Sequence, residues 1–378
     1  DPGLADIRTA LQASNRELQL TISLQNSWAL EFDKSNPVYD PDTGEQMPGL
    51  VRIKPEHRED WQSFIRMIVS DASPAQLQIG SEPENEWVNV DGFVEALCLA
   101  YEAVKETNPE VILMAPGFNP RSILGMDEEA GANLLNLDDA QKISFMRDFF
   151  ASGAECYDIL SFQTSSSHET IPPTVKWFQD QMSASDYQKP IWIDAMFSGR
   201  YLSGSSGNAE EIGLLAQLQA DNPEAIEHYR SRQASDMVKK LVTAFASGVE
   251  KVFVSTSTDG SASQMPIWLH SGLLDTGGNP KPAYYTYQLL IQKIDGFTAV
   301  EQISETIFRF SFSDKNDVLI AWNGSEKLDF DLKPVLQSSS LRVTYIIVEG
   351  WRDQPEIIEI KSSIVPLDDT PVFIETNR

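Results

Sequence analysis

The stretch LQIGSEPENEW at residues 77–87 decides how we interpret the rest of the chain. A short apolar run ends at Gly80, and a carboxylate follows two residues later. Gly80 permits a sharp turn of the backbone, and Pro83 fixes φ immediately after Glu82. The pattern predicts that Glu82 is held rigidly at the end of a strand. A strand that ends in a solvated acidic turn would show the same residues.

Helical and strand patterns alternate around this stretch. Apolar periodicity predicts helices at 4–14, 61–68, 93–107, 139–151, 174–184, 225–247 and 283–293. Short β-rich runs predict strands at 18–24, 77–80, 111–115, 157–162, 191–193 and 251–254. Residues 34–55 contain prolines and little periodicity, which predicts a loop insertion. Short strands that are apolar on both faces and separated by helices are typical of a parallel sheet covered by helices.

The pattern changes after Gly296. Alternating strands follow with turn residues between them and without a helical period, at 308–312, 318–322, 341–348, 357–360 and 371–374. This pattern of alternating strands and turns is typical of an antiparallel β domain. We therefore expect an α/β domain over 1–296 and a β-sandwich over 297–378.

Charge and composition narrow the classes of partner. Lys and Arg number 29 against 56 Asp and Glu, which gives a net charge of −27 over 378 residues. Such a chain repels polyanions, so nucleic acid and anionic membrane surfaces are poor partners. No apolar run approaches the roughly 20 residues of a membrane-spanning helix. A neutral substrate remains open.

Cysteine and histidine usage argues against a metal centre. Two cysteines, Cys98 and Cys156, are too few for a disulfide framework or a cysteine-rich metal site. Cys98 falls in a helical apolar pattern, where we interpret it as a small core residue. The four histidines show no ligand spacing. We expect neither a metal nor an organic cofactor.

Five segments, in this order and spacing, carry a resemblance to a known family. They are IGSEP at 79–83, KPIWI at 189–193, GVEKVF at 248–253, GLLD at 272–275 and KPAYY at 281–285. Together they resemble the clan of (β/α)8-barrel glycoside hydrolases with the acid/base on strand 4 and the nucleophile on strand 7. The xylosidase/iduronidase-like family with a C-terminal β-sandwich is closest. The resemblance covers nearly the whole chain and implies a TIM-type barrel whose chemistry lies at the carboxyl ends of the strands.

The resemblance implies roles for four residues. Glu82 matches the acid/base, and Ser81 replaces the asparagine that usually precedes it. Ala195 stands at the nucleophile position, five residues after a proline, so this position lacks its carboxylate. Asp194 is the possible substitute, but strand side chains alternate, so it would point away unless the strand end bulges. A retaining mechanism needs the two carboxylates about 5–5.5 Å apart.

Three interpretations of Ala195 remain open. The alanine could be an engineered loss of a catalytic glutamate. The protein could be a natural, diverged hydrolase that uses Asp194 or another acid, such as Glu169 or Asp259. The barrel could also be catalytically inactive and act as a glycan-binding or scaffolding protein. The expected ligand in each case is a polysaccharide or oligosaccharide.

Several side chains near predicted strand ends could contact a sugar. An indole can stack on a sugar face, and amide, imidazole and phenol groups can hydrogen-bond its hydroxyls. Packing in the core or at the rim would account for the aromatic residues equally well. The candidates, besides Ser81, are Trp28, Trp87, Gln163, His168 and Tyr201.

The amino terminus raises a further expectation. The chain opens at Asp1 without a methionine or a signal-peptide pattern, from which we expect that an upstream segment was removed. Separately, we expect an extracellular or periplasmic location. If Glu82 ends strand 4, the strand at 18–24 is the third, and strands 1 and 2 are missing. A further segment of roughly 50–90 residues, or a second chain, would then complete the barrel. We expect an open gap between the strands at 18–24 and 251–254.

Overall fold

The computed structural model of the protein describes most of the chain. The described residues are 9, 17–24, 26–39, 46–124, 137–199, 209–260, 270–324, 327–336, 338, 340–349 and 353–376. The chain divides into two compact units. Unit 1 comprises Asp1–Thr164 and Pro173–Ala195, and unit 2 comprises Ser165–Pro172 and Met196–Arg378.

The chain is mixed α/β. The strands are β1 (Gln19–Ile22), β2 (Leu30–Tyr39), β3 (Gln46–Ile53), β4 (Gln76–Ile79), β5 (Ile112–Met114), β6 (Leu160–Thr164), β7 (Ile191–Phe197), β8 (Val249–Ser255), β9 (Ala299–Ser304), β10 (Ile307–Ser311), β11 (Val318–Ala321), β12 (Leu328–Asp331), β13 (Leu341–Tyr345), β14 (Ile357–Ile360), β15 (Ile364–Leu367) and β16 (Val372–Thr376). The helices are α1 (Arg58–Ala72), α2 (Val90–Thr107), α3 (Arg121–Leu124), α4 (Leu137–Ser152), α5 (Ile171–Ala184), α6 (Ala209–Gln219), α7 (Pro223–Ala246), α8 (Pro282–Ile294) and α9 (Lys333–Leu336). The predicted alternation of strands and helices from β4 to α8 is confirmed.

Parallel strands form the centre of unit 1. β1, β4 and β5 are hydrogen-bonded in that order, with Gln19 opposite Gln76 and Gln76 opposite Ile112. Parallel bridges join Met114 to Ile159 and Phe118 to Phe162, which brings β6 beside β5. β7 is the next neighbour of β6. The carboxyl ends of these strands therefore lie at one edge of the unit, where ligands of parallel sheets bind.

Helices cover the sheet of unit 1 through an aromatic core. α2 begins at its N-cap Asn89, whose side chain accepts a hydrogen bond from the amide of Asp91. The ring of Phe149 on α4 lies 6.1 Å from that of Phe93 on α2 and 5.0 Å from that of Phe118. All three rings are buried. This packing fixes the segment after β5 against the helices.

A disulfide joins Cys98 of α2 to Cys156, at a sequence separation of 58 residues. The interpretation of Cys98 as a free core residue is therefore wrong. The helical period placed Cys98 correctly inside unit 1, but periodicity carries no information on which residues pair in space. Cys156 lies in a short 3-10 turn at Ala154–Cys156 that packs against α2.

The loop predicted at 34–55 is also wrong, because β2 and β3 form an antiparallel hairpin there. Pro37 lies opposite Pro48, and the register shifts between Asp33 and Pro37. Proline cannot donate to a strand ladder, yet a two-stranded ribbon tolerates it where the amide would face away from the partner strand. The loop was predicted because this strand pair contains prolines and its apolar and polar side chains alternate little.

Unit 2 combines the helices α6, α7 and α8 and the strand β8 with a mainly β region. β8 packs against α7, and α7 packs against α8. The six strands of the larger sheet are antiparallel in the order β14-β13-β16-β11-β10-β9, and β12 pairs with β15. Leu319 and Val343 of the larger sheet share a buried core with Val365 of the smaller one. The antiparallel strands predicted after Gly296 are confirmed, whereas β9, β12 and β15 were missed. The boundary near residue 296 stays a prediction.

The predictions for the amino terminus are not tested. Apart from Thr9, the predicted helix at 4–14 lies outside the described residues. β1 is an edge strand of its sheet among the described residues. The missing barrel strands and the gap between residues 18–24 and 251–254 therefore stay predictions. None of the described helices is long and apolar enough to cross a bilayer.

Candidate functional site

Glu82 follows β4 in a backbone conformation that few side chains adopt. Gly80 has φ +78°, and its amide donates to the carbonyl of Ile22 at 2.8 Å. Glu82 itself lies in the left-handed region, with φ 50° and ψ 51°. Its amide donates to the carbonyl of Gly117, which follows β5, at 3.0 Å. A left-handed non-glycine residue costs about 1–3 kcal/mol and is common at functional sites. Backbone hydrogen bonds from Gly80 to Ile22 and from Glu82 to Gly117 therefore fix the position of Glu82.

Two amides hold the Glu82 carboxylate, which is partly exposed. The Nδ2 of Asn85 donates to Oε2 at 2.5 Å, and the Nδ2 of Asn119 donates to the same oxygen at 3.2 Å. Asn85 lies in the 3-10 turn Pro83–Asn85, and Asn119 follows β5. Neutral donors orient a carboxylate while leaving its charge in place. The carboxylate of Glu82 is therefore oriented through its Oε2.

Glu84 is a second acid near Glu82, and it is buried. Glu84 is only 6% exposed, and its Oε1 accepts a hydrogen bond from the backbone amide of Asn119 at 2.7 Å. Its Oε2 is buried and has no hydrogen-bond partner among the described residues. Burial and, second, the charge of Glu82 raise the pKa of Glu84 to about 8. Glu84 therefore carries its proton at neutral pH.

Asp194 is brought into the same group of side chains. Its Oδ2 accepts a hydrogen bond from the Nε2 of the buried Gln78 at 3.0 Å and lies close to Gly117. Burial raises the pKa of Asp194 to about 6, the hydrogen bond from Gln78 opposes this, and the charge of Glu82 adds to it. Ala195 follows in β7 and supplies no polar group. The structure thus places an acid beside Glu82 on the residue before the predicted nucleophile position.

Ser81 and Gln163 form a polar pair next to Glu82. The Nε2 of Gln163 donates to the Oγ of Ser81 at 2.6 Å and to the carbonyl of Gly117 at 3.4 Å. Ser81 also bridges Gly117 in parallel register. The hydroxyl accepts from Gln163, so its own proton can be donated elsewhere. The structure therefore brings together four of the predicted site residues, Ser81, Glu82, Gln163 and Asp194, all in unit 1.

The two candidate tryptophans of unit 1 differ in exposure. Trp28 is 54% exposed and packs edge-on against His57, with ring centroids 4.5 Å apart. It lines a cavity of about 440 Å³ with Leu24 and Phe64. Trp87 is only 3% exposed, because its ring packs against the core. A sugar could stack on Trp28 but has no access to either face of Trp87.

The remaining candidates belong to unit 2 or lie outside the described residues. His168 packs edge-on against Trp322, with ring centroids 5.5 Å apart. Of the alternative acids, Glu169 is exposed. Asp259 is buried in an ion pair with Lys281, at 2.8 Å between Oδ1 and Nζ. Tyr201 lies outside the described residues. Across the described part of the chain, no three His, Cys, Asp or Glu side chains are grouped to hold a metal ion.

Several residues of the site escaped the sequence analysis. Gln78 is a polar residue in a strand whose four residues are all buried, and a buried amide needs a hydrogen-bond partner. Asn119 follows the exit of β5, at the same edge as Glu82. These two patterns were available in the sequence. The burial of Glu84 was not, since it depends on the amide of Asn119, 35 residues away.

Comparisons with known proteins identify the fold. No family model and no curated protein matches the chain. A family 39 glycoside hydrolase from Bacteroides cellulosilyticus is 13% identical with a TM-score of 0.64, covering 100% of this chain and 71% of that one. A monomeric β-xylosidase from Caulobacter crescentus is 12% identical with a TM-score of 0.56, covering 98% and 83%. A conserved exported protein from Bacteroides fragilis is 10% identical with a TM-score of 0.57, covering 97% and 78%. The chain has a glycoside hydrolase-like fold.

Proposed function

We propose that the protein is a glycoside hydrolase acting on a polysaccharide or oligosaccharide, with Glu82 and Asp194 as its carboxyl pair. The observation that carries the proposal is that both acids meet at Gly117, whose carbonyl accepts the amide of Glu82 at 3.0 Å and whose backbone lies against the Oδ2 of Asp194. Glycosidases use two acids whose surroundings differ. The glycoside hydrolases that share this fold support the same class of reaction.

The surroundings of the two acids suggest separate roles. Glu82 is partly exposed and lies at the end of β4, so it can reach a glycosidic oxygen and act as the acid/base. Asp194 has a pKa raised to about 6, so a large fraction is ionised at neutral pH. Its carboxylate would act on the opposite side of the scissile bond, as the nucleophile or as the base that activates water. Whether the configuration is retained or inverted distinguishes these two roles.

The substrate is proposed to be neutral or weakly charged. A protein with a net charge of −27 repels polyanionic glycans. Ser81, with Gln163 donating to its Oγ, offers a hydroxyl proton for a sugar oxygen beside Glu82. Trp28 supplies an exposed indole for stacking on an apolar sugar face. We propose no cofactor, because hydrolysis by a carboxyl pair, whether retaining or inverting, needs only the two carboxyl groups and water.

A catalytically inactive, glycan-binding or scaffolding protein is the second candidate. Two observations favour it: Ala195 supplies no carboxylate, and the Oδ1 of Asp194 is enclosed without a hydrogen-bond partner among the described residues. An enclosed oxygen cannot attack an anomeric carbon until the surrounding side chains move. The same polar groups and the exposed Trp28 would then serve binding alone.

We further infer the organisation and location of the protein. The likeness to glycoside hydrolases supports a (β/α)8 barrel within residues 1–296 and a β-sandwich at 297–378. The disulfide between Cys98 and Cys156 favours an oxidising compartment, and one protein of the same fold is exported. An extracellular or periplasmic location follows as a proposal. Mass spectrometry of the protein from its native compartment, with and without reduction, tests the disulfide.

One substrate screen distinguishes the two candidate functions. The protein would be incubated with 4-nitrophenyl α- and β-glycosides and with neutral oligosaccharides, and released sugar measured. We expect hydrolysis by the wild type and a loss of about 10²–10⁴-fold in Asp194→Asn. NMR of the first anomer formed assigns retention or inversion. An engineered loss at Ala195 predicts instead that only Ala195→Glu is active. If both the wild type and Ala195→Glu bind glycans but hydrolyse none of the substrates, the second candidate function is favoured.

A further inference from the structure

We propose that Glu84 is a positioning residue that holds Asn119 in place and thereby sets the ionisation of the Glu82 carboxyl. The inference rests on the role proposed above for Glu82. It goes beyond that role because it assigns a function to a buried acid that has no access to substrate. Asn119 is the element through which the two acids are connected.

The hydrogen bonds on Asn119 define the connection. Its backbone amide donates to the Oε1 of Glu84 at 2.7 Å, and its side-chain amide donates to the Oε2 of Glu82 at 3.2 Å. The side chain of Asn119 also accepts from the amide of Arg121 at 3.1 Å, which fixes the orientation of the amide group. Loss of the Glu84 acceptor would release the backbone of Asn119 and move the donor away from Glu82.

The local chain geometry explains why Glu84 lies in this position. Pro83 begins a 3-10 turn directly after the left-handed Glu82, and all three residues of the turn are buried. The turn directs Glu84 toward the segment that follows β5, while Asn85 turns back to Glu82. Burying a carboxyl group is costly unless the group is hydrogen-bonded, so the burial of Glu84 calls for a specific partner.

The charges around Glu84 explain how two acids can share one asparagine. Glu82 precedes it in the chain, and Lys142 of α4 is the cation that acts on it from the packed helix. Burial outweighs Lys142 and raises the pKa of Glu84 to about 8, which leaves Glu84 neutral at neutral pH. The enclosed Oε2 then carries the proton, and Oε1 remains the acceptor for Asn119. A neutral Glu84 avoids the repulsion that two adjacent carboxylates would suffer.

A purely structural role makes a different prediction from a positioning role. If Glu84 only filled space, its replacement would lower stability and leave the carboxyl of Glu82 unaffected. If it positions Asn119, its replacement removes a hydrogen bond that favours the ionised form of Glu82. The pKa of Glu82 would then rise, by an amount on the order of one unit. The ionisation of Glu82 is therefore the quantity to measure.

The experiment is a carbon-13 NMR titration of the full chain labelled at glutamate side-chain carboxyls. Glu82→Gln identifies the resonance of Glu82. We expect its pKa to rise in Asn119→Ala and to rise by a similar amount in Glu84→Ala. In the double variant the two shifts should not add, because Glu84 acts through Asn119. Glu84→Gln keeps an acceptor oxygen for the Asn119 amide and should change the pKa of Glu82 least.

Two results would overturn the proposal. One is an unchanged pKa of Glu82 in a folded Glu84→Ala, when Asn119→Ala shifts it. The other is additive shifts in the double variant. If Glu84→Ala does not fold, Glu84→Gln replaces it in the test. A shift in the pKa of Glu82 that is as large in Glu84→Gln as in Asn119→Ala would then contradict the proposal. The titration uses no substrate, so a failure of the proposed hydrolase activity would be seen separately in the assays with glycosides.

Discussion

The carboxylate of Asp194 lies directly against the backbone of Gly117. A Cβ built on Gly117 would be 2.1 Å from the Oδ2 of Asp194, well inside van der Waals contact. The carbonyl of Gly117 also accepts the amide of Glu82 at 3.0 Å and the side chain of Gln163 at 3.4 Å. One glycine after β5 therefore contacts both acids of the proposed pair. Gly117 must lack a side chain because the Asp194 carboxylate occupies the space that a Cβ would need.

The first prediction concerns this glycine. Gly117→Ala should displace the Asp194 carboxylate, break its hydrogen bond with Gln78 and lower stability by about 1–3 kcal/mol. Chemical denaturation measures the loss, and the glycoside assay should show a loss of activity. Gly213→Ala is the matched control, because a Cβ on Gly213 in α6 meets nothing within 4 Å. It should be neutral or stabilise by about 0.5–1 kcal/mol. Equal effects of both variants would contradict the proposed contact.

The second prediction concerns stability and pH. The pKa of Glu84 is about 8 in the folded chain and 4.5 ordinarily, so between these values the folded state holds a proton that the unfolded state releases. The free energy of unfolding should therefore fall as pH rises from 4.5 to 8, by up to about 5 kcal/mol from this group. Glu84→Gln should remove this fall. Urea unfolding at several pH values measures it, with the exposed Glu110→Gln as control. Because the raised pKa of Asp194, about 6, produces a similar fall at lower pH, the decisive window is pH 7 to 8. A wild-type slope in that window that survives in Glu84→Gln would refute the assignment.

The third prediction concerns the disulfide. Replacing both cysteines by serine should lower the free energy of unfolding by about 4 kcal/mol, because the bond closes a loop with a sequence separation of 58 residues. Reducing agent should destabilise the wild type by a similar amount and leave the double-serine variant unchanged. Thermal unfolding with and without reductant gives both values. A wild type insensitive to reductant, with two free thiols by titration, would show that the bond is absent.

The fourth prediction concerns the buried ion pair of unit 2. Lys281 donates from Nζ to the Oδ1 of Asp259 and to the carbonyl of His270, each at 2.8 Å. Lys281→Met should cost about 3–5 kcal/mol, because Asp259 is left charged and buried. Adding Asp259→Leu to Lys281→Met should recover part of that loss, since no uncompensated charge remains. Denaturant unfolding of the wild type and both variants decides this. A double variant less stable than Lys281→Met would contradict the account.

The sequence predicted the elements that local periodicity controls. The helices α1 and α2 and the strand before Glu82 follow from apolar spacing alone. The β2–β3 hairpin did not, because Pro37 and Pro48 imitate a loop, and its register is irregular. The bond between Cys98 and Cys156 was also missed, since pairing depends on which surfaces of the fold meet.

The candidate site was predictable to a similar extent. Gly80 and Pro83 indicated that Glu82 is held at a strand end, and its left-handed backbone agrees with this. The alternation rule suggested that Asp194 points away, whereas its carboxylate contacts Gly117 and Gln78. Side-chain direction at a strand end depends on which neighbour leaves room for it. Here the space exists because Gly117, 77 positions before Asp194, has no side chain, and the sequence does not show that these two residues are in contact.

The leaving-group dependence of Glu82→Gln tests the central claim most directly. An acid that protonates the leaving oxygen matters most when that oxygen is a poor leaving group. The account predicts that kcat falls by about 10²–10⁴-fold on a natural oligosaccharide and by far less on a 2,4-dinitrophenyl glycoside of the same sugar. A Glu82→Gln variant as active as the wild type on the oligosaccharide would contradict the account, as would equal losses on both substrates.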